Sequence, residues 1–209
     1  YNGEPAAIPG VIEAENYDKG GNRFSFYDKD AANKGETYRE DAVDVVTLDG
    51  ATCGDEACKG YAIGYTEAGE WLEYSVKVAT SGKYAIRANV ATASETSQVQ
   101  LFVDGEAVGD TVSFEKVDTA WNVYKEVDVG VANLTAGEHI LKLAIAGSYV
   151  NVDWLKFCEG EACEATTGIR EIMPASVTKA SAPRLRKQGG QLFVERNGMR
   201  FDLTGHRIK

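Results

Sequence analysis

The sequence predicts an all-β chain, a β-sandwich of jelly-roll type with a small C-terminal β-hairpin tail, and three observations carry that reading. From Gly60 onward, short runs rich in Val, Ile, Leu and aromatics recur at regular spacing with no amphipathic helical segment between them, the pattern of an antiparallel sandwich. Asp104-Gly105 falls between two such runs and is a strong two-residue hairpin turn. Finally, residues 150–157 carry apolar groups on both faces of a strand: alternation puts Val150, Val152 and Trp154 on one side and Asn151, Asp153, Leu155 and Phe157 on the other. A strand covered on both sides belongs inside a sandwich, and helix content is expected to be very low.

Taken in order, residues 1–10, with Pro5 and Pro9, read as a leader from an upstream linker. Val11-Ile12-Glu13-Ala14-Glu15 then alternates so that both carboxylates share one strand face, about 7 Å apart. Such a pair is either a solvated acidic face or the start of an oxygen-ligand site suited to calcium. Residues 16–50 are a long loop region rich in Gly, Asp, Asn and Lys, with a short apolar run at 43–46. Asp28 and Asp30 resemble the start of an EF-hand loop, but Arg39 stands where the terminal glutamate belongs, and the motif is rejected. Strands are expected at 61–65, 71–76, 84–90, 99–103, 123–129, 140–145 and 150–157, with Trp71 and Trp154 in the core. Residues 11–163 form the module; residues 164–188 read as a linker; residues 189–209 read as a basic hairpin about Asn197-Gly198. A lone hairpin is marginally stable in water, so this one either docks on the sandwich or is held by secretion or attachment machinery.

Charge and cysteines narrow the class of function. The net charge is −10 and unevenly placed: residues 1–163 hold 28 acidic against 13 basic residues, −15, and residues 164–209 hold 4 against 9, +5. An acidic module repels phosphate, which argues against a nucleic-acid partner. No run is apolar enough to span a bilayer, and Tyr1 is not an initiator, so the chain reads as an excised piece of a longer exported protein. Cys53-Gly-Asp-Glu-Ala-Cys58 and Cys158-Glu-Gly-Glu-Ala-Cys163 read as two local disulfide loops in an oxidising setting. A four-thiolate zinc site is the alternative, disfavoured because the pairs lie far apart in sequence.

Catalytic constellations are missing. His139 and His206 lack an evident nucleophile or metal partner, and no phosphate-binding glycine loop or zinc-protease helix occurs. Asn151 and Asp153 interrupt an otherwise apolar strand and need partners, either backbone groups or a ligand for the amide and a cation for the acid. Tyr65 and Trp121 stand at strand ends or in loops. A sugar ring has an apolar C–H face and a rim of hydroxyls, so stacking on aromatic planes and hydrogen bonding to an amide would hold it. Core packing is the competing reading of each aromatic taken singly.

Together these pieces resemble family 6 of the carbohydrate-binding modules over roughly residues 11–157. The matching segments are Val11-Ile12-Glu13-Ala14-Glu15-Asn16-Tyr17, Gly64-Tyr65-Thr66-Glu67-Ala68-Gly69-Glu70-Trp71-Leu72-Glu73-Tyr74, Leu101-Phe102-Val103-Asp104-Gly105, Thr119-Ala120-Trp121 and Val150-Asn151-Val152-Asp153-Trp154-Leu155. The resemblance implies a non-catalytic jelly roll that binds β-linked plant cell-wall polysaccharide or its oligosaccharides, xylan first and cellulose or β-glucan next. It implies Tyr65 and Trp121 as the aromatics that sandwich a sugar ring, Asn151 as the amide that bonds it, and Glu13, Glu15 and Asp153 as side-chain ligands of a structural Ca2+. It further implies a secreted or surface-attached monomer serving an upstream glycoside hydrolase or carbohydrate esterase in the same chain. The tail resembles attachment segments of exported polysaccharide-degrading enzymes of anaerobic gut bacteria. Two other classes remain beside it: a surface adhesin in which the tail is the working part, and a small glycosidase built on Glu67 or Glu70.

Overall fold

The computed structural model describes residues 3–116 and 120–163 in full and, as backbone strands, residues 184–188, 191–196, 199–201 and 207–208. The first compact unit, residues 1–164, holds fourteen strands in chain order. They are β1 (Ala6–Ile8), β2 (Gly10–Glu13), β3 (Phe26–Tyr27), β4 (Val45–Thr47), β5 (Thr52–Cys53), β6 (Glu56–Ala57), β7 (Tyr61–Ile63), β8 (Trp71–Val78), β9 (Gly82–Ala91), β10 (Gln98–Val103), β11 (Glu106–Ser113), β12 (Val123–Leu134), β13 (Gly137–Gly147) and β14 (Asn151–Glu159). Among the described residues the one helical turn is a single 3-10 turn, Ala14–Asn16. No helix there is long and apolar enough to cross a membrane.

Two sheets form the sandwich that the strand pattern predicts. One runs β1-β8-β13-β10-β11, with β3 also on β8; the other runs β4-β7-β14-β9-β12-β5-β6, with β2 also on β14. Alternation sends one face of each strand inward: Leu72, Tyr74, Val76 and Val78 of β8 and Leu141, Leu143 and Ile145 of β13 meet Tyr84, Ile86, Ala88 and Val90 of β9 and Leu155 and Phe157 of β14 in one core. The hairpin about Asp104-Gly105 forms as expected, with Val103 opposite Glu106 and both turn residues at positive φ, +52° and +86°.

Several expectations are corrected. Ala6–Ile8 is not a leader but pairs in parallel with Val76–Val78, and buried Ile8 joins the core. The strand starting at Gly10 stops at Glu13, so Glu15 lies in the 3-10 turn and is buried instead of sharing a strand face with Glu13. In β14 the alternation breaks. Val152 pairs with Val90 and Trp154 with Asn89, leaving Asp153 as an extra residue, a β-bulge. The bulge lets Val150 and Val152 before it and Leu155 and Phe157 after it all face the core, and it turns Trp154 out. Trp154 is therefore half-buried outside the core, as is Trp71, which carries the Lys142 ammonium 4.2 Å above its ring.

The second unit, residues 165–209, holds a four-stranded sheet of β15 (Arg184–Gln188), β16 (Gln191–Arg196), β17 (Met199–Phe201) and β18 (Arg207–Ile208). β16 and β17 pair as the tail's hairpin with Arg196 opposite Met199, while β15 occupies residues assigned to the linker. The turn Asn197-Gly198 and His206 lie outside the described residues.

Candidate functional site

Sheet order explains why residues distant in sequence meet. β7, β14 and β9 are neighbours, β12 follows β9, and β4 flanks β7, so the end of β7 and the starts of β14 and β12 fall at one edge of the sandwich. A cavity of about 590 Å³ opens there, lined by Val46, Thr47, Leu48, Asp49, Ala51, Tyr65, Trp121, Asn122, Tyr124, Tyr149 and Asn151. Tyr65, Trp121 and Asn151, the three residues singled out for a sugar, are all on its wall. Both aromatics are exposed, 54% for Tyr65 and 43% for Trp121, so neither is spent on the core.

Asn151 is buried at the start of β14, and its amide nitrogen donates to the backbone oxygen of Trp121 at 3.0 Å. Gly64 makes room for it. A Cβ there would meet the Asn151 amide oxygen at 3.2 Å and Val46 at 3.0 Å. The next residue, Tyr65, adopts φ +49°, uncommon for a side chain of its size. The Thr66 hydroxyl fixes that turn by donating to the Val150 carbonyl at 2.8 Å while accepting from the Val150 N–H at 3.0 Å. Tyr124 lies beneath, and burial holds its phenol above the ordinary range, so it stays protonated.

The opposite wall is residues 46–49 and Ala51, and the hairpin that follows braces it. The Cys53–Cys58 disulfide closes the β5–β6 hairpin, and β5 pairs in parallel with the start of β12, Val123 with Thr52 and Tyr124 with Cys53. Thr52 N–H donates to the Asn122 carbonyl at 2.8 Å, and the Asn122 amide to the Gly50 carbonyl at 3.4 Å. Leu48, Ala51, Cys58, Ala62, Ala91 and Tyr124 form a second small core under this hairpin. Trp121 is thus clamped twice, through its own carbonyl by the Asn151 amide and through Asn122 by Thr52 and Gly50. Cys158–Cys163 is the other disulfide, so the zinc alternative falls for both pairs.

Glu13, Glu15 and Asp153 interact through their charges. Glu15 is buried, one of its oxygens has no hydrogen-bond partner, and burial first, then its neighbours' charges, pushes its carboxyl up to about 8. Burial likewise raises Asp153 to about 6, opposed by the Asn89 amide, which donates to it at 2.8 Å. A buried carboxylate oxygen left without a donor fits a hard cation. A second acidic group was missed: Asp28, Asp30 and Asp44 offer oxygens within 4.8 Å of one another, with the Lys34 ammonium paired to Asp30, 4.0 Å from Asp44 and 5.9 Å from the centre of the Tyr65 ring. Asp44 lies far from the other two in sequence, and no local motif announces it.

Among the described lining residues Asp49 is the one carboxylate. Glu70 is engaged elsewhere, accepting the Lys29 and Glu67 N–H groups, and Glu67 pairs with Lys29. Tyr149, Asn122 and Asp49 were not anticipated; Tyr149 stands two residues before Asn151, the one signal available for it.

Comparison with known proteins agrees with the sandwich fold. The chain is 25% identical over 130 residues to the β-agarase AgaO of Microbulbifer thermotolerans, spanning 10% of that enzyme's length and 60% of its own. A family 6 module from Clostridium stercorarium solved with cellobiose is 25% identical, with TM-score 0.52 over 76% of this chain and 99% of that one. The C-terminal family 6 module of the laminarinase LamC of Zobellia galactanivorans shares the fold at 21% identity, TM-score 0.53, over 71% of this chain and 98% of that one. The profile described as "Carbohydrate binding module (family 6)" matches residues 34–159, more than half of the chain, and with the cleft and sandwich described above the chain belongs to family 6 of the carbohydrate-binding modules, a family of non-catalytic binding modules.

Proposed function

We propose that the cleft holds a neutral β-linked polysaccharide, xylan first and cellulose or another β-glucan next, and that the module keeps an attached glycoside hydrolase or esterase close to that substrate outside the cell. The observation that carries this reading is the convergence of exposed Tyr65 and Trp121 on the buried Asn151 amide at one cavity. The rings stack on the apolar faces of a pyranose, and the amide meets its hydroxyls. The wall carries little charge: Asp49 is its one charged residue among those described, and the Lys34 ammonium that borders it, 5.9 Å from the Tyr65 ring centre, is itself paired to Asp30, so a neutral chain is the best match. Support for the ligand class comes from the relatives, one bound to cellobiose and another, from Bacillus halodurans, named for β-1,3-glucan binding. Tethering to a surface adds effective concentration without new catalytic contacts.

A structural Ca2+ at Glu13, Glu15 and Asp153 belongs to the same proposal. It would supply the positive charge that the buried Glu15 oxygen lacks and tie the first strands to β14. Calorimetric titration of the chain in calcium buffer with xylohexaose and cellohexaose tests the cleft: saturable binding is expected, and Trp121→Ala should weaken it by about 1–3 kcal/mol or more, the range of aromatic stacking on flat rings. Affinity retained in that variant moves the site elsewhere.

A further inference from the structure

Tyr149 is the third exposed aromatic on the cleft wall, 50% accessible, in the connection between β13 and β14. Its backbone sits at φ +68°, a region that glycine enters freely and a bulky side chain rarely does. Three hydrogen bonds hold it there. Its N–H donates to the Thr66 carbonyl at 3.2 Å, and its carbonyl accepts from the Thr92 hydroxyl at 2.9 Å and the Ser97 hydroxyl at 2.7 Å. Thr92 and Ser97 are wholly buried, and the two hydroxyls also lie 2.6 Å from each other.

Stability does not account for this arrangement. The ring lies outside both clusters of buried apolar residues, half of it faces water, and glycine would fit the backbone with less strain. Fixed conformational cost around a solvent-facing aromatic is the signature of a residue kept for contact with something else. The same Thr66 segment that braces Tyr149 also sets Tyr65, so the two rings are held by one buried network at the same cavity.

We propose that Tyr149 is a further stacking platform, which adds a second subsite beside the one formed by Tyr65, Trp121 and Asn151, so that the cleft engages at least two consecutive rings of a β-linked chain. This inference rests on the cleft reading above. The phenyl ring takes the C–H face of the next pyranose and the phenol hydroxyl reaches its rim. Xylose, glucose and the xylo-, cello- and laminari-hexasaccharides are the probes, titrated calorimetrically against the whole chain. Tyr149→Gly removes the ring and accepts the backbone geometry; it is expected to melt no lower than wild type and to bind its best hexasaccharide about tenfold or more weakly, given what aromatic stacking contributes. The loss should be larger for six rings than for one, which fills the first subsite alone. Tyr149→Phe keeps the platform and should stay within about threefold of wild type, since it retains the stacking face. Unchanged hexasaccharide affinity in Tyr149→Gly, with binding lost in Trp121→Ala, overturns the added subsite and leaves the cleft standing. Equal losses for one and six rings overturn it as a separate subsite. Failure of the whole panel to bind wild type overturns the cleft and the platform together.

Discussion

The two disulfide loops enclose nearly the same tetrapeptide, Gly-Asp-Glu-Ala and Glu-Gly-Glu-Ala, and close over similar Cα separations of 5.1 and 5.3 Å. Their surroundings differ. Cys53–Cys58 lies beside the early part of β14, where the Asn89 amide reaches the Cys53 sulfur at 3.3 Å and the Asp153 carboxylate at 2.8 Å, and its hairpin sits over a small core shared with Leu48 and Ala51 of the cleft wall. Cys158–Cys163 lies at the far end of β14, against the start of β9, with the Cys163 sulfur 3.7 Å from the Ala85 carbonyl and an exposed Lys83–Glu161 pair beside it. Loop closure alone assigns each bond about 2 kcal/mol. What separates them is what each loop packs against, so equal local sequence yields unequal roles.

Removing the bonds one at a time should break the equality. The double variant Cys53→Ser with Cys58→Ser is expected to lower the melting temperature by more than the roughly 4–8 °C that 2 kcal/mol represents for a chain of this size, because the small core loosens with it. It should also weaken hexasaccharide binding by about tenfold, since Trp121 loses one of its clamps and must be ordered by the ligand. Calorimetry that finds full affinity in this variant would reduce the loop to a staple like the other one.

Next in size comes chelation. If Asp153 links the cation and the Asn89–Cys53 wall, chelator should lower the melting temperature by several degrees, following the ligand-linkage relation, and Glu15→Gln should remove most of that sensitivity. A melting curve indifferent to chelator in wild type rules the cation out. For Cys158→Ser with Cys163→Ser, the melting temperature should fall by no more than about 4–8 °C, the equivalent of loop closure alone, with calorimetric affinity unchanged.

The smallest effect is a surface one. The His139 imidazole lies 2.7 Å from the Asp104 carboxylate, and that hydrogen bond raises the histidine above its ordinary 6.5 while holding the aspartate below 3.8. The histidine's contribution is therefore complete below pH 6.5 and is lost as pH rises through its raised value; the aspartate's is present above 3.8 and lost as pH falls through its lowered one. Melting curves of wild type should drop slightly on the alkaline side of 6.5, and His139→Gln should flatten that slope. An identical slope in the variant would assign it to other groups.

How far the sequence was readable follows from the range of the forces involved. Period-2 alternation is local, and β8, β9, β10, β12 and β13 appeared where it placed them, as did the Asp104-Gly105 turn. Tyr65, Trp121 and Asn151 met at one cavity because each was chosen for chemistry at a strand end, and sheet order did the rest. The failures lie where the period is broken or the partner is distant. The Asp153 bulge inverted the faces assigned to Trp154, and the parallel partner of Ala6–Ile8 lies some seventy residues away, at Val76–Val78. Asp28 and Asp30 were discarded with the EF-hand pattern, although Asp44 completes their cluster through tertiary contact. Nothing local in Tyr149 signals a positive φ, which buried Thr92 and Ser97 and the Thr66 carbonyl hold in place.

The small core under the Cys53–Cys58 hairpin rests on the outer face of a sheet whose inner face builds the main core. One wall of the cleft is thereby an outbuilding: Leu48, Ala51 and Cys58 bury themselves in this small cluster, apart from the main one. Residues 47–51 can therefore be recut to alter which chain fits, so long as the disulfide hairpin that reaches Asn89 is kept.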